Sequence, residues 1–135
     1  MRVDVGEGKV WLQFGYHELA SSRRTEQFLQ VVLDSSGKPL KLFFSKKKPF
    51  IVEVEVTKFP IYFYKRYFTN RDYPVHVLYR ISENGEVKVV ATVDAKGIHT
   101  GEVPLPPSIL ELLRTDWLEP GKFESLMMEQ AREVE

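Results

Sequence analysis

The sequence has no cysteine in its 135 residues. Disulfides, thiol nucleophiles and zinc held by thiolates are therefore excluded. It has no net charge either, because 19 Lys and Arg cancel 19 Asp and Glu. That balance does not fit a uniformly basic protein that coats duplex DNA, and no helix carries the basic face that duplex recognition uses. No apolar run approaches the roughly 18 residues of a membrane-spanning helix. The opening residues Met1–Gly8 carry charge where a secretory signal would be apolar. The expectation is a cytoplasmic, intracellular protein with no membrane partner. No glycine-rich phosphate loop, nucleophile elbow or metal-binding helix motif is present. His17, His76 and His99 are far apart and have no ligand spacing. The expectation is no catalytic residue, no metal and no cofactor, hence a non-enzymatic protein. Few Asn and Gln among many charges would also suit a thermophilic source.

What is present is an uneven distribution of charge. Residues 36–71 hold nine Lys and Arg against two Glu, whereas residues 101–135 hold three against eight acids. Aromatic residues follow the same boundary: 11 of the 17 fall between Phe43 and Tyr79. Solubility alone gives no reason to sort charge in this way.

The patterning predicts a single domain over 1–135, with strands in 1–104 and two helices in 105–135. Its fold class is α+β, mainly β: an antiparallel sheet or partly closed barrel of about six to eight short strands. Lys9–Tyr16 and Phe50–Lys58 alternate apolar and polar residues, and Leu40–Phe44 and Ile61–Phe68 are further strands. Thr25–Asp34 fits either a helical stripe or a strand. Arg23 and Arg24 at a helix N-terminus and Asp34 at its C-terminus would oppose the helix dipole, so the strand is preferred. At Glu83-Asn84-Gly85 a three-residue loop pairs Ile81 with Val87, Tyr79 with Val89, Val77 with Ala91 and Val75 with Val93. That register makes one face wholly apolar and leaves His76, Arg80 and Lys88 on the other. Ser108-Ile-Leu-Glu111 reads as a capping box opening the first helix, and Lys122–Val134 reads as the second.

The strand Ile61–Phe68 carries the functional expectation. Its residues alternate, so Phe63, Lys65 and Tyr67 share one side, and Tyr62, Tyr64, Arg66 and Phe68 share the other. Either both faces are covered, or one shows rings and a cation to solvent. In the second case, bases of single-stranded DNA or RNA would stack on Tyr62, Phe63, Tyr64, Tyr67, Phe68 and Tyr73. Lys46, Lys47, Lys48, Lys65, Arg66, Arg71 and Arg80 would then track the phosphates. The alternative is a small interaction subunit, monomer or homodimer, docking on a larger protein assembly such as a transcription or replication machine. One route for that docking is the apolar stripe Phe123, Leu126 and Met127 of the last helix.

Overall fold

The computed structural model describes residues 1–15, 29–44, 48–68 and 74–134. Within them the chain forms nine strands followed by two helices. The strands are β1 (Arg2–Gly6), β2 (Lys9–Phe14), β3 (Leu29–Leu33), β4 (Pro39–Phe44), β5 (Phe50–Glu55), β6 (Ile61–Phe68), β7 (Pro74–Ile81), β8 (Val87–Asp94) and β9 (Gly97–Thr100). The helices are α1 (Pro107–Leu118) and α2 (Pro120–Val134). The fold is mainly β, with no closed barrel among the described residues. It has a three-stranded sheet in the order β1-β2-β5 and a six-stranded sheet in the order β4-β3-β6-β7-β8-β9, all antiparallel.

Three layers result. Val10, Leu12, Phe14, Val52 and Val54 of the small sheet pack on Val32, Ile61, Phe63 and Ile81 of the large one. On the opposite face of the large sheet, Val31, Leu33, Tyr62, Tyr64 and Leu78 meet Ile109, Leu113, Phe123 and Met127 of the helices. The large sheet is therefore covered on both faces at its centre. This explains why β3, Leu-Gln-Val-Val-Leu, is buried at every residue and does not alternate. The segment 25–34 is a strand over 29–33, and its first four residues lie outside the described ones.

Short turns set the registers. Gly8 (φ +71°) closes the two-residue β1–β2 loop, and Gly85 (φ +85°) occupies the left-handed position of the Glu83–Gly85 loop. Ile81 faces Val87 and Tyr79 faces Val89, as the sequence predicts. Beyond Tyr79 the register moves, pairing Leu78 with Ala91, Val77 with Thr92 and His76 with Val93. The expected Val77–Ala91 and Val75–Val93 pairs are corrected by this bulge. Its physical cause is the helix layer: His76 and Leu78 face the helices, and the bulge turns Val90, Ala91 and Val93 to the same side and keeps Thr92 away.

The predicted capping box does not form. Pro106 is the N-cap and Pro107 begins α1, where its fixed φ suits the first helical position. The Ser108 hydroxyl donates instead to the Ser35 carbonyl at 3.1 Å, joining the helix to the β3–β4 turn. β1 and β9 go unrecognised in the sequence reading because each is short and flanked by turn residues. Among the described residues no helix is long and apolar enough to cross a membrane.

Candidate functional site

Of the two alternatives for Ile61–Phe68, the structure shows the covered one over residues 61–66, all of which are buried, and the open stacking face is corrected there. Phe63 faces the small sheet, stacked between Phe43 and Tyr79 with ring centroids 5.9 and 5.8 Å away. Tyr62 and Tyr64 face the helices. Lys65 and Arg66 are buried as well, so neither lies on a phosphate-tracking surface here. The cause is the third layer, since the helices close the face that a two-layer protein would leave wet. Lys46, Lys47, Arg71 and Tyr73 lie outside the described residues, as do the side chains of Tyr67 and Phe68. Lys48 is exposed, and Arg80 is half-buried with its guanidinium donating to the Ser82 hydroxyl at 3.1 Å. The expected docking stripe of the last helix is corrected too. Phe123 and Met127 are fully buried against the sheet, and Leu126 packs beside them.

Where the rings meet the helices, the fold gathers five polar side chains. Arg66 donates from Nη2 to Asp116 Oδ1 at 2.8 Å and from Nη1 to Glu124 Oε1 at 2.7 Å, so one guanidinium joins β6 to both helices. Tyr64 Oη donates to Asp116 Oδ2 at 2.6 Å. His76 Nε2, on the adjacent β7, lies 3.8 Å from the same oxygen. The guanidinium also sits 5.1 Å from the centre of the Phe123 ring, within cation–π range.

Burial dominates the proton affinities in this cluster. It lowers His76 to about 3, with help from the Arg66 charge, so the imidazole is neutral at physiological pH. It raises the Tyr64 phenol, and the Asp116 carboxylate adds to that shift. Asp116 is also pushed up by burial, against the downward pull of Arg66 and the Tyr64 hydroxyl. The side chains of Arg66 and Asp116 have no exposed surface and His76 retains only 2 %. The cluster therefore binds helices to sheet, with Glu124, 46 % exposed, as its solvent-facing member. Asp116 escaped the sequence reading, although a signal for it exists. It stands seven residues after Ile109 and three after Leu113, on the buried stripe of α1, and a carboxylate there needs a buried cation.

His99 Nε2 hydrogen-bonds the Asp94 carboxylate at 2.9 Å, an exposed pair that draws the Asp94 carboxyl down. His17 lies outside the described residues. Among the described residues no group of His, Asp and Glu is arranged to hold a metal ion.

An open groove lies elsewhere among the described residues. It has a volume of about 1120 Å³ and runs between β4 and β5, the facing edges of the two sheets. Leu40, Leu42, Val54 and Phe59 form its apolar part, and Met128 and Ala131 of α2 reach it from the helix layer. Glu53 and Glu55 line it from β5, Lys58 from the segment just after β5, and Lys41 from β4. Comparisons with known proteins give no match: no family model, no curated protein and no solved structure matches this chain.

Proposed function

We propose that the chain is a non-catalytic interaction subunit, working in the cytoplasm, that docks on a larger protein assembly through a sheet edge. The observation behind this reading is a contrast. Residues 61–66 of the aromatic and basic strand β6 are buried, while β4 and β5 flank an open groove with no described strand between them. Arg66, Asp116 and His76 are buried between sheet and helices, and the exposed His99–Asp94 pair has no metal-holding group around it among the described residues, which supports a binding role over a catalytic one.

Single-stranded nucleic acid is the second reading. Arg80 and Lys88 face each other across the β7–β8 hairpin, and two cations so placed repel unless an anion lies between them.

Photo-crosslinking in the native cells separates the two. With a photoreactive residue at Ile51, the interaction reading predicts adducts to protein. With the same residue at Lys88, the second reading predicts adducts to nucleic acid. Anisotropy titration with labelled oligo-dT and oligo-U at two salt concentrations gives an independent check. Affinity falling with a log–log slope of about −0.7 per neutralised phosphate would overturn the interaction reading in favour of nucleic acid.

A further inference from the structure

A sheet edge is a row of unpaired N–H and C=O groups, and proteins defend such rows with charged side chains (lysine above all), prolines, bulges, shortness or a covering loop. This chain has four described edges, and three of them are defended by more than the charge of acidic side chains. β4 carries Pro39 and Lys41, and its pairing with β3 is interrupted by a bulge between Val32 and Leu33. β9 is four residues long and lies beside α1, where Trp117 approaches Gly97. β1 is met by the β7–β8 turn: a methyl group on Gly85 would lie 3.7 Å from Val5 and 3.8 Å from the Val3 carbonyl oxygen.

β5 is different. Phe50-Ile-Val-Glu-Val-Glu55 has no proline, glycine or lysine and pairs with β2 without a register shift. No described strand lies on its other side, which borders the groove, and Ile51 is 63 % exposed.

We propose that β5 is the acceptor edge for an extended segment of a partner protein, which lies in the groove as a fourth strand of the small sheet. This rests on the interaction-subunit reading and names the occupant. Backbone hydrogen bonds to β5 would hold the segment, and its side chains would alternate between the groove and solvent. Charge specifies the solvent side. Among the described residues the cation paired with Glu53 and Glu55 is Lys9, whose ammonium is 2.8 Å from Glu53 and also feels Glu55. The outer face of β5 is therefore left acidic, and a partner strand with Lys or Arg opposite these glutamates complements it. The same two residues act against a second copy of this chain. Two β5 edges paired with each other would set glutamates beside glutamates, which is unfavourable. The segment's groove side is apolar, to meet the partly buried Leu40 and Phe59. Cations on that side would approach Lys41 and Lys58.

The test uses three labelled, end-blocked nine-residue peptides that alternate Val with Lys, Thr or Glu, titrated against the full chain. The proposal predicts that the Lys peptide binds best and that Glu55→Lys weakens it about fivefold while strengthening the Glu peptide. N-methylation of alternate peptide amides on the edge-facing side should abolish binding, and bound peptide should slow hydrogen exchange at Ile51–Glu55. Absence of saturable binding by any peptide at millimolar concentration would overturn the proposal. So would protection at another edge, or indifference to N-methylation. Protein adducts at Ile51 alongside such a failure would leave the interaction-subunit reading standing without this occupant. Self-association in ultracentrifugation that Glu55→Lys alters would make a second copy the occupant and also overturn it.

Discussion

Tyr64 Oη donates to Asp116 Oδ2 at 2.6 Å, across 52 residues of sequence, and this bond ties the middle of β6 to α1. Hydrogen bonds to a charged acceptor contribute about 1.5–3 kcal/mol. Tyr64→Phe keeps the ring packed on Phe123 and His76 and removes only the hydroxyl. It should lower unfolding free energy by about 2 kcal/mol in urea titration. Were Tyr64 an exposed stacking residue, the same change would leave stability within about 0.5 kcal/mol of wild type.

His76 gives stability a pH dependence with a definite sign. Its folded value, about 3, lies below the 6.5 of the unfolded chain. The unfolded state therefore takes up the proton first as pH falls. The contribution is complete above pH 6.5 and is lost toward pH 3, at up to about 1.4 kcal/mol per pH unit. Asp116 acts in the opposite sense, because a raised carboxyl favours the fold at low pH and loses that advantage as pH rises. The His76 share is isolated by subtraction: the difference in stability between wild type and His76→Gln should shrink steadily from pH 6.5 downward. A difference independent of pH would contradict the assignment.

The C-terminal helix is core. Phe123 and Met127 are both fully buried. Truncating one such side chain to alanine costs about 2–5 kcal/mol, against a total stability of about 5–15 kcal/mol for a typical domain. Ending the chain at Glu119 removes both and takes Phe123 off the Tyr64 ring. Circular dichroism of that truncation should show no cooperative thermal transition. A well-folded truncated chain would restore the last helix as a docking element.

Two glycines are predicted to behave oppositely. Gly85 sits at φ +85°, where a side chain costs about 1–2 kcal/mol, so Gly85→Ala should destabilise by about that amount. Gly121 lies in α2 with nothing within 4 Å of an added methyl, so Gly121→Ala should raise stability by up to about 1 kcal/mol. Denaturant midpoints of the two variants on either side of wild type would confirm both.

Much of the fold was legible in the sequence. The alternation of Phe50–Glu55, the Asn-Gly loop with its first pairs and the two C-terminal helices followed from local chemistry. The candidate site was less so, because alternation in β6 says which residues share a face but not what covers each face. A two-layer sandwich and a three-layer fold give the same pattern in Tyr62, Phe63, Tyr64, Lys65 and Arg66. The discriminating residue was Asp116, an acid on an apolar stripe 50 residues from Arg66. The bulge at Leu78–Tyr79 was hidden for the same reason, since it answers to the helix layer and not to the hairpin.

The central claim is that the basic, aromatic strand is interior, held by a buried ion pair. The most direct measurement is a double-mutant cycle on Arg66 and Asp116 using Arg66→Met, Asp116→Leu and the pair, with stability read by urea unfolding. Each single change strands a buried charge and should cost about 3–5 kcal/mol, whereas the double variant should recover most of that loss. Single variants as stable as wild type would contradict the account, because Arg66 and Asp116 would then not be buried against each other.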